Sequence, residues 1–241
     1  MTEIKDIHGF IITASHEIER KENVLTLQSQ LQNLMIVEAI YPSKEKVPFL
    51  KKMQELSKKR TGRALNNGEI GVLLSNRKIW RQILQSNFQE HDFFLILESD
   101  SVINNLKVLE HHFCKLVAGY DLFFFGAWLG HAKLLRSKRK QLDGVYHYGE
   151  PYIKTICSGY GYALNKKAAA YLLKQTGKIG YPADEFKKYM EPGKLKIGAV
   201  SPELISQGSG TTTIGHAEHR ILQKIWVFLL DIRNSLICYF R

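Results

Sequence analysis

The stretch "DFFLILESDS", residues 92–101, is a run of large apolar side chains that ends abruptly on acidic and hydroxyl groups. A short continuous apolar run bounded by polar residues is typical of a strand buried inside a sheet. Residues two positions apart in a strand point to the same side, so Glu98 and Asp100 are expected to face one way and Ser99 the other. The pattern therefore predicts a core strand that delivers two carboxylates to its exit.

Strand-like and helix-like patterns alternate around this stretch. An order of strand, helix and strand is typical of a largely parallel sheet that is covered by helices on both faces. The sequence therefore predicts an α/β fold. The spacing of apolar residues from Ile70 to Leu84 predicts one of the helices, and Asn165 and Gly177 are the predicted N-cap and stop of another. Residues 43–67 form a basic, polar region. The predicted strands are "HGFIITAS", "NLMIVEAI", "DFFLILESD", "YDLFFFGAW", "SGYGYAL" and "LKIGAVSPELIS", and the predicted helices are residues 20–33, "GEIGVLLSNRKIWRQILQSNF", "NNLKVLEHHFCKLV" and "NKKAAAYLLKQTG".

The composition of the 241-residue chain is that of an ordinary globular protein, with 44% hydrophobic and 24% charged residues. This length suits one substantial domain with a small appendage. No early segment resembles a signal peptide, and no stretch approaches the roughly 18 apolar residues of a membrane-spanning helix. The three cysteines lack metal-type spacing, which favours reduced thiols in a cytoplasmic protein.

The formal net charge of +11 indicates an anionic partner or location. Nucleic acid, an anionic membrane face and a phosphorylated substrate would each attract such a protein. Neither zinc-finger spacing nor an aromatic RNA-binding signature occurs, so a nucleic-acid partner is not expected. The lysines of "KKMQELSKKR" are interpreted as the solvated face of a helix.

The exit of the residue 92–101 strand is the place where open α/β sheets bind their ligands. Two carboxylates there, Glu98 and Asp100, suit a hard divalent cation such as Mg²⁺ or Mn²⁺, which favours oxygen ligands and often bridges to a diphosphate. The competing interpretation is that both side chains cap the helix that begins at "NNLKV". These residues alone leave both interpretations open.

A longer series of segments resembles glycosyltransferase family 25, which includes the galactosyltransferases of bacterial lipooligosaccharide and lipopolysaccharide synthesis. The resemblance covers residues 8–210, and the ordered series is more specific than any single motif. The opening "FIITASHEIERKENV" resembles the first strand of the family and its arginine-containing turn. The other segments are "GEIGVLLSNRKIW", "LILESDSV", "SGYGYALNKKAAAYLL", "YPADEF" and "VSPELISQ".

The resemblance implies a GT-A-like fold with a Rossmann-type, mixed, mainly parallel sheet flanked by helices. It also implies a UDP-sugar donor, commonly UDP-galactose, a glycolipid saccharide acceptor and an inverting reaction. The acidic motif after the strand matches the metal-binding signature of that fold. Asp100 is thereby implied to hold Mn²⁺ or Mg²⁺ on the diphosphate, with Glu98 beside it on the metal or the nucleotide.

Two positions depart from the family pattern. The family has two adjacent aspartates after the glutamate, and Ser99 replaces the first of them. Because Ser99 is expected to point away from the acidic pair, the metal site should tolerate this change. The family favours a histidine where this chain has Asn76. Asparagine can still form hydrogen bonds to the sugar donor, but it cannot carry a proton as histidine can. These departures motivate an alternative function, a catalytically silent paralogue that binds a sugar nucleotide.

The resemblance points to further contacts with acceptor and donor. Asp184 in "YPADEF" matches the Pro-x-Asp motif of the family, where a carboxylate could accept the proton of the attacking hydroxyl. Capping of the next helix is the alternative. Ser158 and Gly159 are implied donor contacts because small residues let the backbone approach a sugar or phosphate, whereas tight packing is preferred for Gly161.

Arg20 is a candidate for binding the diphosphate, because a guanidinium fork matches phosphate oxygens, with a solvated surface arginine as the alternative. Glu203 and Gln207 lie in the "SPELISQ" element expected near the ligand. Of these two residues, Gln207 is the preferred candidate for binding the sugar donor, because the family often carries glutamine at this position. His216 and His219 could supply a late metal ligand but are interpreted as surface residues.

Residues 1–215 are interpreted as a single glycosyltransferase domain and residues 216–241 as a basic amphipathic helical tail. Such a helix suits the interface of an anionic membrane, where lipid-linked acceptors reside. Packing on the core or on a second subunit is the alternative. The protein is thus expected in the cytoplasm, with peripheral association at the inner membrane face as one option.

Overall fold

The computed structural model describes residues 7–127, 132–157, 159–208 and 221–241, with the backbone alone for residues 221–228. Helices and strands alternate through most of these ranges, as the sequence predicts. Their bounds are β1 Gly9–Thr13, α1 Lys21–Gln30, β2 Leu34–Glu38, α2 Leu50–Thr61, α3 Asn67–Gln85, β3 Phe94–Glu98, β4 Ser101–Ile103, α4 Leu106–Val117, β5 Leu122–Phe124, β6 Lys140–Asp143, β7 Tyr146–Gly149, β8 Gly161–Leu164, α5 Lys166–Thr176, β9 Ile197–Ser201, β10 Ile205–Gln207 and α6 Ile221–Phe240.

In the described part of the chain, eight strands form one sheet in the order β2-β1-β3-β8-β5-β9-β7-β6. β1 pairs parallel with β2 and β3, and β5 pairs parallel with β9. β8 and β7 are antiparallel to both of their neighbours. Six of these eight strands therefore run in one direction. The predicted α/β class, with a mixed and mainly parallel sheet flanked by helices, is confirmed.

The strand β3 is apolar along its length because both of its faces are covered. Phe94 and Ile96 enter a core built with residues of α3 and α5, whereas Leu95 and Leu97 enter a second core built with residues of α1 and α4. Each side chain is almost completely buried, and such burial stabilises a fold by about 1.5–3 kcal/mol per large apolar side chain. Polar groups on this strand are therefore confined to its end.

Local signals set the ends of the helices that cover the sheet. At the start of α3, the Asn66 side chain accepts a hydrogen bond from the Glu69 amide at 2.8 Å, and the Glu69 carboxylate accepts one from the Asn66 amide at 2.9 Å. This reciprocal pair is a capping box. The predicted N-cap Asn165 accepts from the Ala168 amide at 3.0 Å, and Gly177 follows the last residue of α5.

The helix α2 lies within the basic, polar region of residues 43–67. α2 exposes its lysines, Lys51, Lys52, Lys58 and Lys59, and buries Met53. The interpretation of these lysines as a solvated helix face is therefore confirmed. The bounds of this helix were not predicted, because its few apolar residues give a weak periodic pattern.

A small second sheet forms beyond the end of β3. β4 pairs antiparallel with β10, so that Ser101 lies opposite Gln207. The following helix, α4, is capped by Asn105, whose side chain accepts from the Val108 amide at 3.1 Å. The interpretation of Glu98 and Asp100 as caps of this helix is therefore wrong. The short sheet instead places β10, a late segment of the chain, beside the end of β3.

The C-terminal helix α6 packs on the segment that precedes β6. The Lys133 ammonium lies 3.0 Å from the Asp231 carboxylate, and the Arg136 guanidinium lies over the Tyr239 ring, 4.4 Å from its centroid. Among the helices of the described ranges, none combines the length and apolar character that crossing a bilayer needs. The histidines His216 and His219 lie outside the described residues.

Candidate active site

The candidate site lies at the edge of the sheet where β1, β3, β5 and β9 end and the antiparallel β8 begins. Binding sites in open α/β sheets form at such an edge because the loops that leave the strands are not committed to the ladder. The side chains brought together here come from distant parts of the chain. They are Glu17 and Arg20 after β1, Glu98, Ser99 and Asp100 after β3, and Gln207 at the end of β10.

Arg20 links the turn after β1 to the turn after β3. Its guanidinium donates a hydrogen bond from Nη1 to Ser99 Oγ at 3.0 Å, and its Nη2 lies 3.3 Å from Asp100 Oδ2. The Arg20 side chain is 17% exposed. The alternative of a merely solvated arginine is therefore wrong. The guanidinium lies at the acidic turn, residues 98–100, and part of its surface is still open to a ligand.

Asp100 is buried, with 8% of its surface exposed, whereas the sequence analysis places both carboxylates at an open strand exit. Burial follows because Arg20 and the β4–β10 sheet cover it. Its Oδ2 accepts a hydrogen bond from Gln207 Nε2 at 3.1 Å, while Oδ1 is buried and has no hydrogen-bond partner among the described residues. A buried carboxylate oxygen without a donor is costly unless a cation or another donor approaches it.

The orientation expected for Ser99 is wrong. β3 ends at Glu98 and the chain turns, so the alternation of a strand no longer applies to the next residue. Ser99 Oγ accepts from Arg20 and donates to Glu17 Oε2 at 3.2 Å, which places Ser99 on the side of Asp100. The turn is held further by Asn23, whose Nδ2 donates to the carbonyls of Ser99 at 2.8 Å and Ser101 at 2.9 Å.

Glu17 is a site residue that the sequence analysis missed. Its carboxylate accepts hydrogen bonds from the Tyr41 hydroxyl and the Ser99 hydroxyl, and it lies 3.7 Å from Arg20 Nη1. The spacing of Glu17 and Arg20, three residues apart in "HEIER", is the signal that could have disclosed the pair. Glu17 therefore places a second carboxylate beside the arginine, in addition to Asp100.

The pKa of Glu98 is raised from its ordinary value of 4.5 to about 8. Burial is the largest cause, the charges of Asp100 and Asp184 add to it, and Arg20 opposes it. The charged groups that act on Glu98 are three other carboxylates, of Asp100, Asp184 and Glu17, and one guanidinium, of Arg20. A further positive charge nearby would stabilise the ionised form of Glu98.

Gly159 separates two of these carboxylates. A Cβ atom at this position would lie 2.8 Å from Glu98 Oε1 and 3.8 Å from Asp184 Cβ. Glu98, Gly159 and Asp184, which the sequence analysis selects independently, are therefore neighbours. Ser158 lies outside the described residues. Gly161 instead serves packing, as preferred above, because a Cβ there would lie 2.7 Å from Cγ2 of Ile205.

Asn76 lies beneath the site, and its hydrogen bonds are internal. Its Nδ2 donates to the Val72 carbonyl at 2.9 Å, and its Oδ1 accepts from the Tyr162 hydroxyl at 2.5 Å. The same hydroxyl accepts from Trp80 Nε1 at 3.0 Å. Tyr162 lies opposite Ile96 of β3, two residues before Glu98. Burial raises the pKa of Tyr162, and the charge of Glu98 adds to the effect. Direct contact of Asn76 with a donor stays a prediction.

Glu203 and Gln207 have different surroundings, although both lie in the same short element. Glu203 Oε2 accepts hydrogen bonds from the Tyr160 hydroxyl at 3.0 Å and the Ala127 amide at 3.2 Å. These contacts hold the loops after β5 and before β8. Gln207 is exposed and reaches Asp100, so its position agrees with the preference for Gln207 as the residue closer to a ligand.

The residues present fit a divalent cation of the kind that the family implies. Asp100 offers an unpartnered carboxylate oxygen, and Glu98 offers a second carboxylate, which are the hard oxygen ligands that Mg²⁺ and Mn²⁺ prefer. Within the described ranges, no group of three or more acidic, histidine or cysteine side chains could hold a metal.

The fold and the site together define an α/β protein with an acidic ligand site at the carboxyl edge of a mixed sheet. A family model described as "Glycosyltransferase family 25 (LPS biosynthesis protein)" matches residues 6–187. The chain belongs to this family, which confirms the resemblance found in the sequence. The matched residues include Arg20, the acidic turn, Gly159 and Asp184, whereas Gln207 lies beyond them.

Comparison with solved structures finds mouse xyloside xylosyltransferase 1, in its apo form, at 12% sequence identity and a TM-score of 0.35. The similarity covers 75% of this chain and 66% of the mouse chain. The chain thus spans slightly less than two thirds of the length of the mouse protein. A search of curated proteins finds no significant match.

The raised pKa of Glu98 predicts a pH-dependent stability. The folded protein binds a proton on Glu98 that the unfolded chain releases, so the free energy of unfolding falls as pH rises from about 4.5 to about 8. Glu98→Gln cannot ionise. It should match the wild type near pH 4.5 and melt at a higher temperature above pH 8, as thermal unfolding at both pH values will show.

Glu55→Gln, at an exposed position of α2, is the matched control and should not reproduce this difference. A Glu98→Gln variant that is no more stable than the wild type above pH 8 would contradict the raised pKa.

Proposed function

We propose that this protein is a metal-assisted hexosyltransferase that moves a hexose, with galactose as the expected sugar, from a UDP donor to a saccharide acceptor of bacterial lipooligosaccharide or lipopolysaccharide. Membership of glycosyltransferase family 25 supports the transfer of a sugar. The observation that carries the donor assignment is the buried, unpartnered oxygen of Asp100 beside the guanidinium of Arg20. An anionic ligand and a cation together satisfy both groups.

The donor diphosphate would bind between Arg20 and the acidic turn. Asp100 and Glu98 would hold Mn²⁺ or Mg²⁺, which would neutralise the charge that develops on the departing UDP. Arg20 already contacts the turn through Nη1 and Nη2, so a phosphate oxygen placed there would meet a fixed guanidinium fork. Gln207, which donates to Asp100, keeps this carboxylate in place during binding.

The acceptor would approach from the side of Asp184. This carboxylate lies beside Gly159, close enough to Glu98 for its charge to raise the pKa of Glu98. In a single displacement, Asp184 would accept the proton of the acceptor hydroxyl while the oxygen bonds to the anomeric carbon and the bond to UDP breaks. This reaction inverts the configuration at that carbon.

Asp100→Asn tests the cation assignment. A neutral amide is a poor ligand for a hard cation, so Mn²⁺-stimulated hydrolysis and transfer from a panel of UDP-sugars should fall by roughly 100-fold. Folding should be little affected because the amide has nearly the shape of the carboxylate. Asp143→Asn, at a position 61% exposed on β6, is the matched control. Full activity of Asp100→Asn would remove Asp100 from this role.

Asp184→Asn tests the proposed base. Loss of a general base slows the chemical step by about 10²–10⁴-fold, so kcat for transfer should fall in this range. The dissociation constant for UDP with Mn²⁺, measured by calorimetry, should stay within about twofold of the wild-type value, since proton acceptance takes no part in donor binding. A comparable loss of UDP affinity would assign Asp184 to the donor instead.

A second candidate function is binding of a sugar nucleotide without transfer. Asn76 favours this function. Its side-chain amide is hydrogen-bonded within the protein, and it cannot carry a proton as the family's histidine at this position could. Calorimetry with UDP and Mn²⁺, run beside the hydrolysis and transfer assays, separates the two functions. Tight binding with no turnover on a broad acceptor panel would establish the silent alternative.

We propose that α6 attaches the protein to an anionic membrane surface, at the cytoplasmic face where a lipid-linked acceptor would be met. One face of the helix contacts residues 133–137 through the side chains of Asp231 and Cys238 and the carbonyl of Arg241. The opposite face is apolar and exposed, and Arg233 lies beside it. Apolar contact and basic side chains together favour anionic lipid. The exposed apolar side chains of this face are Leu229, Ile232, Leu236 and Phe240.

Leu236→Glu tests this attachment. The exchange places a negative charge in the centre of the apolar face, so co-sedimentation with phosphatidylglycerol vesicles should fall by roughly tenfold. Leu56→Glu, at an exposed position of α2, is the matched control and should sediment like the wild type. Unchanged sedimentation of Leu236→Glu would exclude this face as the membrane contact.

A further inference from the structure

A cavity of about 450 Å³ lies between α6 and the far end of the sheet, separate from the acidic site. Its volume falls within the range of small-molecule sites. Its lining combines basic side chains, hydroxyl groups and an aromatic ring. The lining residues are Ala132, Lys133, Leu134, Arg136, Arg139, His147, Ser201, Ser235, Cys238 and Tyr239.

The charge of this cavity is positive. Its lining holds one lysine, two arginines and a histidine, and none of its lining residues is acidic. The carboxylate of Asp231 lies 3.0 Å from Lys133 and neutralises it. Arg136 lies over the Tyr239 ring, which fixes its guanidinium, and Arg139 is an exposed residue of the same basic segment. The two arginines thus leave the cavity with a net attraction for an anion.

The position of the cavity relates it to the acidic site. Ser201 is the last residue of β9, and His147 lies opposite it on β7, so both belong to the sheet edge at which β3 delivers Glu98. β3 and β9 are separated by β8 and β5, which makes three strand spacings, or about 14 Å along the edge. A ligand that extends along this edge could occupy both places.

The lining is also suited to a sugar. The hydroxyls of Ser201 and Tyr239 can form hydrogen bonds with a saccharide, and the Tyr239 ring offers an apolar surface. Ser235 Oγ donates to the Asp231 carbonyl at 2.9 Å and can only accept a further hydrogen bond. Guanidinium groups bind phosphate and carboxylate oxygens with two parallel hydrogen bonds. We propose that this cavity binds the anionic part, a phosphate or a carboxylate, of a saccharide acceptor. The inference rests on the proposed function, which supplies an acceptor.

Arg139→Gln tests the proposal, since Arg139 is exposed and its loss should not affect folding. Glucose 6-phosphate and glucose are titrated by calorimetry into the wild type and the variant. The phosphorylated sugar should bind the wild type about tenfold tighter than glucose, and Arg139→Gln should remove most of this difference, as expected for loss of a charge-assisted hydrogen bond. The matched control is Arg81→Gln, at an exposed position of α3 near the opposite sheet edge.

The outcomes are distinguishable from failure of the proposed function. UDP affinity in the presence of Mn²⁺ should be the same in the wild type and Arg139→Gln. The sugar-phosphate titration does not depend on UDP binding, so it tests the cavity even if the protein binds no UDP. Equal binding of the two sugars, or equal losses in Arg139→Gln and Arg81→Gln, would overturn the cavity assignment.

Two additional probes separate the sources of an anion. Inorganic phosphate should bind more weakly than glucose 6-phosphate, and binding of equal strength would overturn the saccharide part of the proposal. Phosphatidylglycerol vesicles should bind wild type and Arg139→Gln within about twofold of each other, since the lipid contact is the outer face of α6. Loss of vesicle binding with unchanged sugar-phosphate binding would instead assign Arg139 to lipid headgroups.

Discussion

Burial of β3 on both faces is the constraint on which the candidate site depends. The strand lies between β1 and β8 and contributes side chains to two separate cores, so that charge is tolerated only where it leaves the sheet. Glu98 and Asp100 occupy this place. The turn after β1 meets them there because β1 runs parallel to β3 and ends at the same edge. Parallel pairing thereby brings Arg20 to the acidic turn.

The electrostatic balance of the site explains why it suits a charged ligand. Four carboxylates, of Glu17, Glu98, Asp100 and Asp184, are gathered at this edge with one guanidinium, of Arg20. Burial, with the neighbouring carboxylates adding to it, raises the pKa of Glu98, and one oxygen of Asp100 has no hydrogen-bond partner among the described residues. A cation bound together with a diphosphate would stabilise the ionised form of Glu98 and give the Asp100 oxygen a partner. The basic cavity at the far end of the same edge has the opposite charge and suits a different part of the substrates.

Local patterns predicted much of the fold. The apolar run before Glu98 predicted β3, the spacing of Ile70 through Leu84 predicted α3, and Asn165 predicted the start of α5. The direction of β8 and the β4–β10 pairing were not predicted, because they depend on contacts between residues far apart in the chain. The burial of Asp100 and the role of Glu17 were missed for the same reason.

The sequence by itself determined which residue types leave the central strand, the family to which the chain belongs and the acidic character of the candidate site. These properties follow from local order and composition, which a single chain carries in full. Only the tertiary structure decided that Arg20 lies on Asp100, that Gly159 lies between Glu98 and Asp184, and that Asn76 lies beneath the site. Each of these contacts joins segments that only the folded sheet brings together.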